Sequence, residues 1–163
     1  MDSVKLDHLA DAIKESGVRT AFGILGGGRS LELVSALRDR GISFYSSHFE
    51  GTAAMMAGVT GLLTGKVGVA VSIKGPGLAN MVPGLALCKF ENLPMVALSE
   101  AFEKNPPLTR THKFLDHHSL VSAVTKYADK SKSSSLEDRF NLGRDLATKE
   151  IPGPVHLDLI SEP

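Results

Sequence analysis

Glu50 is the one acid in the stretch SHFEGTAAMMAGVTGLL, residues 47–63. The apolar periodicity of that stretch predicts a helix. At about 100° per residue, Glu50, Ala53, Ala54, Ala57, Gly58 and Gly61 share one side. Met55, Met56, Val59, Leu62 and Leu63 share the other. A helix without a hydrophilic face is a buried helix. Its bulky side is expected in the core. Its small side is expected to admit a second backbone. A carboxylate on such a helix is costly unless a partner meets it, and groups of this kind mark functional sites. A plainer role fits the same residues. Ser47 and Glu50 have capping-box spacing, serine at the cap and glutamate three residues on. An acid at a helix N-terminus also suits the macrodipole. The two roles compete only in part, because a capping carboxylate keeps a second oxygen.

Few other residues offer chemistry. Gly26-Gly27-Gly28 and Gly75-Pro76-Gly77 are tight breaks that bring backbone close to whatever lies nearby. His48 either faces a site or fills its turn. Lys74 is expected as a solvated loop lysine, with a cation for a substrate as the sharper role. His117 and His118 are expected on the surface of a short helix. Cys88 has no base near it in sequence and is expected as a small core residue.

The elements that must position these residues alternate. Helices are expected over 4–16 (capped by Ser3), 30–40, 47–63, 78–90 with a kink at Pro83, 114–122 and 135–149. Strands are expected over 18–25, 42–46, 67–73, 94–99, 123–128 and 155–160. Polar loops are expected over 100–111, with Pro106-Pro107, and over 129–135. The run from Val67 to Ile73 is apolar on both faces, the mark of a parallel strand covered by helices on either side. Six strands with helices between them predict one α/β domain, a doubly wound and mostly parallel sheet. Ligands of such sheets sit at the carboxyl ends of the strands. The Gly26 loop, Glu50, the Gly75 loop and Ser99-Glu100 all follow strand ends.

Composition bounds the rest. The chain has 163 residues, enough for one domain with a real core, and 18 basic against 18 acidic residues. Zero net charge argues against nucleic acid or an anionic membrane as partner. The single cysteine excludes an internal disulfide and fits a reducing, cytoplasmic setting. The first fifteen residues are too charged for a signal peptide, and no run of eighteen apolar residues exists. Leu31 stands where a dinucleotide fingerprint needs its third glycine, and Val67 follows Gly65-Lys66 where a P-loop needs Ser or Thr. Neither zinc-ligand spacing nor a Gly-x-Ser-x-Gly elbow occurs.

A family pattern runs nearly end to end. His48-Phe49-Glu50-x-x-Ala53-x-x-x-Ala57-x-x-x-Gly61, then Thr64-Gly65-Lys66-Val67-Gly68-Val69, then Lys74-Gly75-Pro76-Gly77-x-x-Asn80 resembles the pyrimidine-binding (Pyr) domain of thiamin diphosphate enzymes. The acetolactate synthase and 2-oxoacid decarboxylase group is the most similar. Phe22-Gly23-Ile24, Leu93 to Leu98, Val124 to Tyr127 and Gly153 to Asp158 resemble further segments in order. Leu25 stands where the family more often has proline, and Ser99-Glu100 replaces a frequent Gly-Gln.

The resemblance implies that Glu50 activates the cofactor. In the family this carboxylate bonds the aminopyrimidine ring and stabilises the tautomer that removes the C2 proton. Gly26 and Gly27 correspond to a loop near the cofactor rings. Gly75, Gly77 and Asn80 correspond to the second loop and the start of its helix. The family pairs such domains about a two-fold axis, acts on small 2-oxoacids, and holds the diphosphate through Mg2+ on a separate diphosphate-binding (PP) domain. No Gly-Asp-Gly pattern of that domain occurs here. The expectation is therefore a Pyr domain over 1–163 that needs a PP partner, as a homodimer or heteromer. It is either a domain of a longer chain or the alpha subunit of a split sulfopyruvate or phosphonopyruvate type decarboxylase. The start and end of the chain permit a separate subunit. A reading of another class is a flavodoxin-like binding or regulatory module without catalysis.

Overall fold

The structure is a computed structural model that describes residues 2–102, 112–129 and 135–161, with side chains described over 5–102, 112–129 and 135–160. The first helix begins at Asp2, so Ser3 lies within it and not at its cap as expected. Most of the 100–111 loop with Pro106-Pro107 and the 130–134 part of the polar turn lie outside the described residues.

The elements run α1 (Asp2–Glu15), β1 (Thr20–Gly23), α2 (Arg29–Asp39), β2 (Ser43–Ser46), α3 (Glu50–Thr64) and β3 (Gly68–Ser72). They continue with α4 (Pro76–Phe90), β4 (Met95–Phe102), α5 (His117–Val121), β5 (Tyr127–Ala128), α6 (Leu136–Thr148) and β6 (Pro154–Ser161). The six strands form one sheet in the order β2-β1-β3-β4-β6-β5, and every pairing is parallel. This is the doubly wound α/β sheet the alternation predicts. All strand ends therefore point to one edge, and the winding reverses between β1 and β3, the place where such sheets bind ligands.

Strand β3 is buried at every position, as its two-faced apolar run requires. On one face Val69, Val71, Val96, Leu98, Val155 and Leu157 meet Leu6, Leu9, Ile13, Leu33, Leu37 and Phe140 of α1, α2 and α6. On the other, Ala70, Met95 and Ala97 meet Ala53, Ala54, Ala57, Leu78, Met81, Leu85 and Cys88 of α3 and α4. Alanines on the sheet and small residues on the helices let this second layer sit close. Helix α4 runs unbroken through Pro83.

That close approach reverses the expected orientation of α3. Its small side faces its own chain. A Cβ on Gly61 would lie 2.3 Å from the Pro94 carbonyl oxygen, and one on Gly84 of α4 would lie 2.2 Å from that of Gly51. The bulky side is the exposed one: Leu62 is 57% and Leu63 80% accessible. Phe90 on α4 is 79% accessible. The two helices thus present Met56, Val59, Leu62, Leu63, Leu87 and Phe90 as unpartnered apolar surface.

The capping box also fails to form. Helix α3 starts at Glu50 with Phe49 as an extended N-cap and no side-chain cap bond. Ser47 Oγ donates instead to the Phe49 carbonyl at 2.8 Å. At α6 a serine cap does form, with the Asp138 amide donating to Ser135 Oγ at 3.1 Å. Strand β4 extends to Phe102, past the expected end at 99, and α5 and β5 are shorter than expected.

Candidate functional site

Parallel pairing gathers the candidate residues on the carboxyl edge. Residues 24–28 follow β1, Glu50 follows β2, and Gly75 follows β3. Glu50 opens α3 and is 5% exposed. Asn80 Nδ2, on the second turn of α4, donates to Glu50 Oε2 at 3.1 Å. Among the described residues no cation pairs with this carboxylate. Gly77 lies over its other oxygen: a Cβ there would sit 3.5 Å from Glu50 Oε1 and 2.7 Å from Ile73 Cγ1. Glycine at 77 thus keeps the space beside the carboxylate open. Gly75 caps α4 at φ 62, where a Cβ would lie 2.1 Å from the Lys113 carbonyl oxygen. Only glycine meets both demands.

The Gly26 loop reaches the same neighbourhood. A Cβ on Gly26 would lie 2.6 Å from Ile73 Cγ2, whereas Gly27 is open. Glu50, Gly77 and Asn80 are therefore brought into contact, while Gly26 joins them only through Ile73. His48 is exposed, and no contact ties it to the carboxylate.

Glu100 has a role the sequence does not reveal. It is 3% exposed, and its Oε1 accepts the Ser30 backbone N–H at 2.7 Å. Helix α2 has no side-chain cap of its own, since Gly28 precedes it at φ 81. A carboxylate from β4 supplies the missing acceptor and suits the helix dipole. Lys74 is not a solvated loop lysine. Its Nζ lies 3.6 Å from Glu100 Oε2 and 4.3 Å from the centroid of the Phe102 ring. The Lys74–Glu100 pair spans the ends of β3 and β4, and through Ser30 ties the start of α2 to that edge.

The histidine pair is not a surface pair. His117 is 6% exposed. Its Nε2 accepts the Gly75 backbone N–H at 3.0 Å, and its Nδ1 lies 2.7 Å from Asp158 Oδ1. A backbone N–H can only donate, so Nε2 is the bare nitrogen and Nδ1 carries the proton that Asp158 accepts. His118 is half-buried, with Nδ1 unpaired. His156 packs its ring edgewise on His117 at 5.7 Å. His117, His156 and Asp158 each bring a possible ligating atom within 4.8 Å of the others. The tautomer argues against a metal there: Nε2 of His117 is taken by Gly75, and a cation on Nδ1 would force a proton onto Nε2, facing another N–H. Cys88 is the core residue expected: burial pushes its thiol up to about 12, and it donates to the Ala54 carbonyl at 3.5 Å.

A buried carboxylate with one amide donor keeps a second oxygen that can accept a further N–H. Comparison with known proteins identifies the family. The family profile described as thiamine pyrophosphate enzyme, N-terminal TPP binding domain, matches residues 6–117. The chain belongs to this family of thiamin diphosphate-dependent enzymes. It is 32% identical over 154 residues to a catabolic acetolactate synthase of Raoultella terrigena, covering 94% of this chain and 27% of that protein. It is 38% identical over 120 residues to an acetolactate synthase of Bacillus subtilis, covering 74% of this chain and 21% of the relative. A 2-hydroxyacyl-CoA lyase of Arabidopsis thaliana is 29% identical over 152 residues, 93% of this chain and 26% of the lyase. The chain thus spans about a quarter of the length of these relatives. No helix among the described residues is long and apolar enough to cross a membrane.

Proposed function

We propose that this chain is the pyrimidine-binding half of a thiamin diphosphate-dependent decarboxylase or carboligase for a small 2-oxoacid. The observation that carries the reading is the Glu50 carboxylate, 5% exposed and held by Asn80 at one oxygen only. The residues fit the cofactor: Gly77 leaves room at the other oxygen, and the Gly26 and Gly75 loops flank the opening. When bound, the cofactor supplies a carbon nucleophile for the keto group of the substrate. Glu50 Oε1 would accept a hydrogen bond from the aminopyrimidine and would hold a proton on that ring. Asn80 fixes the rotamer that makes this possible. Dry surroundings strengthen such a bond, because water does not compete for the oxygen.

Mg2+ and the diphosphate belong in this reading to a PP domain outside these 163 residues. The chain alone is therefore expected to bind thiamin diphosphate weakly and with no dependence on Mg2+. Calorimetry with and without the metal checks this, and tight Mg2+-dependent binding by the chain alone would sink the half-site reading.

The apolar face of α3 and α4 supports a second chain at this layer. Oligomeric obligate surfaces are apolar in this way. The isolated chain is expected to sediment as a dimer or larger, and the double variant Leu63→Glu, Phe90→Glu as a monomer. A wild-type chain that stays monomeric at high concentration, even with a PP domain present, would count against this surface as the interface.

A further inference from the structure

We propose that His117 is a positioning residue for the Glu50 site and makes that site sensitive to acid. The inference rests on the reading of Glu50 above, but its test needs no cofactor. The Gly75–Gly77 turn decides where Gly77 and Asn80 stand relative to Glu50. Two neighbours in the 113–117 segment fix that turn. The Lys113 carbonyl oxygen closes against the glycine side of Gly75, where a Cβ would lie 2.1 Å away. His117 Nε2 takes the Gly75 amide proton at 3.0 Å. Asp158, on β6, receives the Nδ1 proton at 2.7 Å and so keeps Nε2 bare.

The device follows from the tautomer. Neutral His117 has one acceptor nitrogen, and Gly75 uses it. Protonated His117 has two donors and no acceptor. The ring would then aim an N–H at the Gly75 N–H, and the turn must release. The surrounding charges steer where the cost falls. Asp158 faces Nδ1 and tolerates a cationic ring. His156, also from β6, meets the ring edge. Arg139 of α6 reaches the Asp158 carbonyl oxygen at 2.9 Å and neutralises none of the Asp158 carboxylate directly. Asp116 and His118 flank His117 on α5, and Lys74 turns away to Glu100. Protonation therefore keeps the His117–Asp158 contact and breaks the Gly75 bond, which loosens the start of α4 and with it Asn80.

The test uses the full 15N-labelled chain in solution. An N–H···N hydrogen bond transmits a two-bond nitrogen–nitrogen coupling, so Gly75 N and His117 Nε2 are expected to couple while the ring is neutral, at about pH 8, and to lose the coupling once acid protonates Nε2. The Asn80 side-chain NH2 signals are expected to shift in the same titration. In His117→Leu, exchange of the Gly75 amide is expected to speed by ~tenfold or more, the scale of one lost buried hydrogen bond. His117→Gln keeps an acceptor oxygen and is expected to restore protection and to remove the acid response. If His117→Leu does not fold, the wild-type coupling and the His117→Gln titration decide alone. A missing coupling at about pH 8, or Asn80 signals that ignore His117 protonation, would overturn the proposal. So would Zn2+ binding at His117 that leaves the Gly75 amide protected. Failure of these signals leaves the cofactor-activating role of Glu50 intact, and loss of that role leaves these signals unchanged.

Discussion

Replacing Glu50 by glutamine is expected to slow hydrogen–deuterium exchange at C2 of bound thiamin diphosphate by about a hundredfold or more. The expectation follows from what the substitution removes and what it keeps. Glutamine has the length of glutamate, and its amide oxygen can still accept from Asn80 Nδ2. The volume beside Gly77 is unchanged. What disappears is the negative charge, and with the amide oxygen turned to Asn80 an NH2 group stands in place of the oxygen proposed to meet the ring nitrogen. Losing one positioned electrostatic group in a dry site has this order of effect on rate. The cost to folding is expected to be small, about 1 kcal/mol or less, because Glu50 has no capping bond to lose and contributes mainly through the helix dipole. Quenched-flow exchange read by NMR, with a PP domain supplied, separates the two outcomes. Exchange at the wild-type rate with full cofactor occupancy would leave Glu50 as a dipole-stabilising residue and remove the enzymatic reading.

The same residue shows how far local pattern carries. The need of Glu50 for a partner was legible because a lone acid in an apolar helix is costly, and the nearness of Gly77 and Asn80 because the 74–80 segment resembles the family pattern. The sheet was legible from period and breaks alone. The orientation of α3 was not, because hydrophobicity ranks faces by bulk and assumes that bulk seeks its own core. Here Ala70 and Ala97 on the sheet and Gly84 on α4 make a shallow seat that only a small face fits. Those positions lie apart in sequence and gain meaning only when stacked. The bulk of α3 is then left outward, where its burial depends on another surface.

His117 and Glu100 were missed for a related reason. Their partners are distant: Gly75 and Asp158 lie 42 and 41 residues from His117, and Ser30 lies 70 from Glu100. A short polar segment before a strand looks like solvent-facing helix when its contacts are invisible. The capping box failed in the opposite sense. Ser47 and Glu50 had the right spacing, but the chain leaves β2 in an extended conformation through Phe49, so the serine hydroxyl donates to the Phe49 carbonyl instead of accepting a helix N–H.

His156 gives the second large expectation, a loss of stability in acid. It is 1% exposed on β6, and its Nε2 has no hydrogen-bond partner. Burial is the main cause that lowers its pKa from 6.5 to about 4; the neighbouring Asp158 opposes this, while His117 and Arg139 reinforce it. The folded state thus prefers the neutral ring, and the unfolded chain takes up the proton first. The resulting stabilisation is fully present above 6.5 and is lost as pH falls from there to about 4, below which both states are protonated. At about 1.4 kcal/mol per pH unit, that window removes on the order of 3 kcal/mol, a large share of a typical domain's stability of about 5–15 kcal/mol. His156→Leu keeps a buried side chain of similar size and takes the proton away. Urea unfolding at neutral pH and near pH 4 is expected to show the wild type losing about 3 kcal/mol more than the variant over that interval. Groups away from this ring are common to both proteins, so the difference reads position 156 together with its edge contact to His117. Equal pH dependence in the two would mean that the ring reaches solvent or a proton acceptor in the fold, and that its burial does not govern the acid limb.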